Sequence, residues 1–381
     1  MSAAPVWSIL PLGALGDLRA EWKALAAAAI DPNPFYEPDF LLAAQALGEA
    51  SRISVLIARD PSGSGPLRAL IPLRRPGWRQ GWLRTVWMMH DNAYTPLTTP
   101  LLHRDGADET LASLLDEAPA LFPGSAWLFP LLPAARPFRA RLQAALDERG
   151  RAHLVVRQFA RAAIETTENF EAYTGSHGQT LLRRERKLAT HGRIQYVVAE
   201  GGTPAGQAML DAFLALEAKG WKGRQGTALA SRPESHAFAR QAFRGTSPAT
   251  LYEALMLNDR PLAINVNLLS GGVLYTIKAA FDEDFRGYSP GNLLDRHTIA
   301  LATGNGAFSR VDSCAVPDHP LEIHWQEREA IAVMLADWSG SFGAAGLGRM
   351  AARLTRVEQG IRRLAALRVR WRKGSAGSPK G

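Results

Sequence analysis

The sequence predicts an α+β protein of two tandem halves with mixed sheets, followed by a basic C-terminal helix. Three observations predict it. Segments with apolar residues three or four apart alternate with short β-type runs along the whole chain. The order helix, hairpin, strand, helix occurs twice, and Asp60-Pro…Leu67 and Asp259-Arg-Pro-Leu262 read as corresponding turns. The positive charge is concentrated at the end. The 381 residues carry a net +8, but the stretch from Arg349 onward sets ten basic residues against Glu358 alone, so it holds +9 and residues 1–348 hold −1. The expected units are 1–160, 161–340 and 341–381.

The elements follow in order. Val6–Leu10 reads as a strand. Leu15, Leu18, Trp22 and Leu25 mark one face of a helix over 15–29, broken by Asp31-Pro-Asn-Pro34. A helix over 39–47 follows. Ile53–Arg59 and Leu67–Leu73 flank the Gly-rich turn 60–65 as a hairpin. Leu83–Met89 and Ala126–Phe129 are strands, and Thr110–Leu121 and Phe138–Arg149 are helices. In the second half, helices are expected at Phe170–Gly175, Leu181–His191, Pro204–Lys219, Glu234–Phe243 and 290–303. Arg193–Ala199 is a strand, as is Arg310–Asp312. Thr250–Leu257, Leu262–Leu269 and Val273–Ala280, joined by Asn258-Asp-Arg-Pro261 and Ser270-Gly-Gly272, form a meander. Leu347, Met350, Leu354, Val357, Ile361 and Leu364 recur three and four apart, a narrow stripe on an otherwise Arg-rich tail helix.

Composition excludes several classes. With 46% hydrophobic and 21% charged residues the chain is ordinary globular material, neither disordered nor collagen-like. Cys314 is the only cysteine, so no intrachain disulfide framework is possible and a reducing compartment is expected. The apolar stretch near Pro119–Pro133 is interrupted by three prolines and falls short of the roughly 18 residues a membrane span needs. These features predict a cytoplasmic protein, with the tail able to reach the inner face of the membrane. No His-Glu-x-x-His, cysteine pair or EF-hand spacing occurs, and the Gly-rich stretches lack a P-loop lysine, so neither a metal nor ATP hydrolysis is expected.

The most informative stretch runs from Lys278 to Leu294. It joins an apolar strand to a helix, with Ser289 as an expected N-cap and Pro290 at the first helical position. Gly291 allows close approach to the backbone, and the free amide groups of such a helix start suit a phosphate. The alternative is simply a well-capped helix. Glu217, Lys219, Trp221 and Lys222 form a second cluster. It is either a base with an aromatic wall or an ordinary helix end with Lys against the dipole. Arg183, Arg184, Arg186 and Lys187 either hold a phosphate or form a solvated face. Lys278 precedes Asp282, Glu283 and Asp284 and could pair with them or hold a phosphate or acyl carbonyl. Cys314, with His319 or His324, is a weak nucleophile pattern.

Arg286-Gly-Tyr-Ser289-Pro-Gly291 is similar to the acyl-CoA loop of GNAT proteins, Gln/Arg-x-x-Gly-x-Gly/Ala. It matches at Arg286 and Gly291 and departs at Ser289, where Gly is usual. More broadly the chain resembles the CelD/BcsL family of acetyltransferases, a GNAT branch related to the FemAB aminoacyl transferases. Asn33-Pro-Phe35, Tyr94-Thr-Pro-Leu97, Arg183–Leu188, Leu216–Gly223, Lys278…Gly291, and Asp312 with Trp325–Arg328 carry the resemblance, over about residues 7–335. It implies two GNAT-like halves and transfer of an acetyl or longer acyl group from coenzyme A to an amine or hydroxyl. The acyl-CoA would be held by Lys278, Arg286, Tyr288, Ser289, Pro290, Gly291, Asn292 and Leu293. Glu217 or Asp312 would serve as base and Tyr275 would reprotonate the thiolate. Arg183, Trp221 and Lys222 would meet the acceptor, which the family name makes a saccharide or polysaccharide precursor. Two alternatives are an aminoacyl-tRNA-dependent transferase, the one case in which nucleic acid is expected, and a non-catalytic accessory protein of exopolysaccharide synthesis. The tail helix is expected to dock on the body, to pair with a partner protein, or to lie on an anionic membrane.

Overall fold

The computed structural model describes residues 4–375 apart from 82, 84, 166–175, 305–307, 318, 324 and 326. The first half contains β1 (Val6–Pro11), α1 (Arg19–Ala27), α2 (Pro38–Ala43), β2 (Ser54–Arg59), β3 (Leu67–Arg74), β4 (Val86–Met89), β5 (Leu101–Leu102), α3 (Ala107–Leu121), β6 (Ala126–Pro133), α4 (Pro137–Glu148) and β7 (His153–Glu165). The second contains α5 (Ser176–Ala189), β8 (Ile194–Glu200), α6 (Pro204–Lys219), α7 (Trp221–Arg224), α8 (Pro233–Ala242), β9 (Ala249–Leu257), β10 (Arg260–Ser270), β11 (Val273–Phe281), α9 (Pro290–Gly304), β12 (Arg310–Asp312) and β13 (Glu327–Ala336). The tail is α10 (Gly343–Ser375).

Local chemistry accounts for several of these boundaries. Thr203 caps α6 by accepting the Gly206 N–H, with Pro204 in the first turn. Gly206 is required, because a Cβ there would lie 2.1 Å from the Glu200 carbonyl. The β9–β10 turn is made by Asn258 and Asp259 at φ 48° and 64°, left-handed geometry that short polar side chains tolerate. The first helix is shorter than the apolar spacing predicts: Leu12–Leu18 forms a 3-10 turn and α1 starts at Arg19. The expected helix at 170–175 lies outside the described residues.

All strands join one mixed sheet in the order β1-β2-β3-β4-β6-β13-β7-β12-β11-β10-β9-β8, with β5 beside β3. The two halves are topological copies. Three antiparallel steps, β1-β2-β3-β4, lead to a parallel β4–β6 pair, and β8-β9-β10-β11 lead likewise to a parallel β11–β12 pair. The turns after Arg59 and Leu257 occupy equivalent places. The last strand of each half is exchanged. β7 pairs with β12 of the second half, β13 pairs with β6 of the first, and the two run antiparallel to each other at the centre. The expected boundary at 160/161 therefore falls inside β7.

Neither exchanged strand is predicted from the sequence. Both are rich in alanine, at Ala160, Ala162 and Ala163 and at Ala330, Ala332 and Ala336, a composition that favours helix. Pairing on both sides overrides that preference. Beneath this sheet the apolar residues separate into layers on its two faces. The start of α10 covers part of the first half, burying Leu347, Ala351 and Leu354 against Leu83, Val86 and Met88. Further along, Leu364 is 61% exposed, so only the first turns of the stripe dock.

Candidate functional site

The exchanged strands bring a row of polar side chains onto one face of the central sheet. Register places Arg161 opposite Glu329, Glu165 opposite Arg310, and Asp312 opposite both Ala163 and Tyr275. Arg161, Arg310, Asp312 and Glu329 are all buried. The first half covers this row with two segments that carry the resemblance. Asn33 accepts the Phe35 N–H and donates to the Thr99 carbonyl at 2.7 Å, and Phe35 stands edge-on to Tyr275 at 5.8 Å. The Tyr94–Leu97 segment receives Arg161 Nη1 on the Pro96 carbonyl at 2.7 Å.

β11 and β12 pair only over Val273–Tyr275 and Arg310–Asp312. Beyond that point they splay. A cavity of about 250 Å³ opens in the gap, lined by Ile277 and Lys278 on one side, Cys314 to Pro317 on the other, and Tyr94, Pro96 and Arg161 across it. Lys278 Nζ sits 5.0 Å from the centre of the Tyr94 ring. Burial lowers the Lys278 pKa; the Glu217 charge opposes that shift and Lys222 adds to it. The acids downstream are not its partners, because Lys219 Nζ takes Asp282 at 2.9 Å and Asp284 at 2.7 Å.

The other expected catalytic groups are tied down. Both Glu217 oxygens are engaged, one by Lys222 Nζ at 3.1 Å and the other by the Leu229 N–H at 2.8 Å. Lys222 also donates to the Ala279 carbonyl, on the splayed part of β11. Asp312 faces Arg161 at 2.7 Å and accepts the Cys314 N–H. The Tyr275 hydroxyl donates to the Pro32 carbonyl at 3.0 Å, and burial holds its pKa well above the usual phenol value. Cys314 has φ 52°, and burial, followed by the Asp312 charge, pushes its thiol pKa up, which disfavours the thiolate. Trp221 is 48% exposed, with its backbone N–H on Glu283. His319 accepts the Leu321 N–H, and His324 lies outside the described residues.

The loop before α9 differs from its expected geometry. Ser289 is left-handed at φ 54°, so it does not hold the extended backbone of an N-cap; its hydroxyl instead accepts from Arg184. That conformation is the one Gly adopts most readily, which gives a physical meaning to the departure from the GNAT pattern. Gly291 has ample room: a Cβ would meet only Phe281 Cδ1, at 3.8 Å. Leu293 is buried, with its N–H on the Ser289 carbonyl. The basic helix α5 turns one face to this loop. Arg184 reaches Ser289, Lys187 Nζ lies 6.0 Å from the Tyr288 ring centre, and His191 Nε2 is 2.6 Å from the Tyr288 hydroxyl. Arg183 is exposed, away from these contacts, and Arg286 is exposed on the loop itself. The spacing of 184 and 187 already contained this face, with His191 just beyond the helix end; reading the basic run as one block obscured it.

A meander, a parallel strand that splays from its neighbour, and a helix beginning at the open end define this half. Residues 175–320 match a family model described as an acetyltransferase (GNAT) domain. This half has the GNAT acyltransferase fold. The first half repeats the topology, so the chain is a tandem arrangement of GNAT-like halves. Solved structures extend the likeness over nearly the whole chain. A conserved protein of unknown function from Bacteroides thetaiotaomicron shares 14% identity at TM-score 0.54, covering 87% of this chain and 99% of that one. L-PGS from Bacillus licheniformis shares 12% at TM-score 0.50, covering 90% and 96%. FemX shares 9% at TM-score 0.51, covering 84% and 95%. No curated protein matches the chain. Among the described residues no helix is long and apolar enough to cross a membrane.

Proposed function

We propose that the protein transfers an acyl group from coenzyme A to an amine or hydroxyl, with the donor held by the second half. The observation that carries this reading is the splay itself. Beyond Tyr275, β11 has no β12 partner on its open side, and α9 begins shortly after β11 ends. In a GNAT fold such an edge hydrogen-bonds the donor's pantetheine arm, and the helix start receives its pyrophosphate. Gly291, Arg184 and Lys187 stand at that helix start, so open space and positive charge coincide where the phosphates would lie.

Lys278 is the group best suited to accept the acceptor's proton. Its amine faces the cavity, burial lowers its pKa, and Glu217 and Asp312 are occupied by other partners. On this reading the acceptor nitrogen or oxygen attacks the thioester carbon and gives its proton to Lys278 Nζ. The C–S bond then breaks, and the sulfur takes that proton back.

Titration calorimetry with acetyl-CoA tests the donor assignment. Saturable binding that Gly291→Trp abolishes and Gly291→Ala preserves is expected. Absence of binding to acetyl-CoA and to longer acyl-CoAs would overturn it and turn attention to aminoacyl-tRNA. Lys278→Met is expected to lower kcat by about 10²–10⁴-fold, as for loss of a general base, with acetyl-CoA affinity retained.

A further inference from the structure

α10 changes character along its length. Its first turns bury Leu347, Ala351 and Leu354 against the first half. Further on, Arg362, Arg363 and Leu364 are all exposed. The apolar spacing nevertheless continues in the sequence, through Leu364, Leu367 and Trp371. Seven basic residues and no acidic one follow Gly360. Glu358, the single acid of the helix, is already held by Arg157 at 3.3 Å.

The first half adds to this surface from an unrelated stretch of chain. The short turn Trp78–Gln80 packs beside α10, and a Cβ on Gly81 would lie 3.1 Å from Arg353 Nε and 3.3 Å from Val357 Cγ2. Trp78 is 54% exposed, with the Arg79 guanidinium 5.3 Å from its ring centre. Arg75 and Arg79 are exposed as well, and residues 74–84 hold four arginines and no acid. Leu364 stands seven residues beyond Val357, on the same helix face. The exposed part of the stripe therefore lies on the side of α10 that carries Trp78.

We propose that the outer part of α10 and the Trp78 turn form one docking surface for an anionic lipid bilayer, with the helix lying in the interface plane. Charge complementarity calls for an anionic partner, and the exposed Trp and Leu call for an apolar layer directly beneath the charge. A bilayer of acidic lipids supplies both, with Trp at headgroup level and Arg among the phosphates. A nucleic acid would meet the arginines but has no use for an aliphatic stripe. A second copy of the chain would set seven more positive charges against these seven, with no acid beyond Gly360 to pair them. The surface is independent of the donor assignment.

Cosedimentation of the full-length protein with vesicles tests it, using phosphatidylcholine alone and an equal mixture with phosphatidylglycerol. Binding to the mixed vesicles alone is expected, weakened at least about tenfold between about 0.1 M and 0.5 M salt. Truncation after Gly360 is expected to lower partitioning at least about a hundredfold, since each basic residue near an anionic surface contributes about fivefold. Trp78→Ser and Leu364→Ser leave every charge in place and should each lower it about threefold or more. Melting temperature and acetyl-CoA affinity are expected to stay unchanged in all three variants. Four results would overturn the proposal, whatever acetyl-CoA does: no binding to the mixed vesicles, equal binding to both kinds, parental binding by both Ser variants, or a full-length dimer that truncation turns into a monomer.

Discussion

Replacing Asp295 by Asn should stabilise the protein, by clearly more at pH 8 than at pH 5. Asp295 lies on α9, the helix whose start is assigned to the donor. Its carboxyl group is fully enclosed although the residue keeps a little exposed surface. Burial pushes its pKa up to about 7; the Asn265 side chain opposes the shift and the Glu253 charge adds to it. Glu253 is itself fully buried and accepts from Asn267 at 2.8 Å and Thr298 at 2.9 Å, with His297 Nδ1 at 3.3 Å. The sign follows from linkage. Between the ordinary aspartate value of 3.8 and about 7 the folded state keeps a proton that the unfolded chain has lost. Stability from this group is therefore full below pH 4 and falls as pH rises through 7. A shift of about three pKa units corresponds to about 4 kcal/mol, and the residual exposure reduces the usable figure to about 2–4 kcal/mol. Urea unfolding of both proteins at pH 5, 6, 7 and 8 reads the difference, and other titrating groups cancel in it. An Asn variant whose stability difference from the parent is the same at pH 5 and pH 8 would refute the reasoning.

Three further outcomes follow from the packing. Arg161→Met leaves Asp312 buried without its cation and should cost about 3–5 kcal/mol in chemical denaturation, with about half recovered on adding Asp312→Asn; a cost under about 1 kcal/mol would refute the pairing. Ser289→Ala keeps the left-handed backbone and loses the Arg184 contact, so it should be about 1 kcal/mol less stable than Ser289→Gly. Equal melting temperatures would contradict that. Leu347→Ala should cost about 2–5 kcal/mol, whereas truncation after Gly360 should leave the melting temperature unchanged, because only the first turns of α10 are buried.

Much of the strand-to-helix junction was readable in advance. The strand-to-helix junction from Lys278 to Leu293 announced itself through turn residues, and Lys278, Ser289 and Gly291 all stand at the junction. What the sequence misjudged were the partners. Glu217 carried a catalytic expectation because a carboxylate near a Trp is chemically suggestive, yet its oxygens anchor the turn that follows α6. Tyr94 and Arg161 drew no catalytic or donor role of their own, because nothing local distinguishes a Tyr in a loop or an Arg in an alanine-rich run.

The sequence by itself determined the elements that local chemistry enforces. These are the meander with its polar turns, the helices with apolar faces, the duplicated order and the separate basic tail. Only the tertiary structure decided the exchange of β7 and β13. Their alanine-rich residues have no strong preference for strand, and each takes that form from neighbours more than a hundred residues away. That exchange aligns Arg161, Glu165, Arg310, Asp312 and Glu329 on one face. The polar seam and the gap beside Lys278 therefore arise from long-range pairing, which no periodicity along the chain can express.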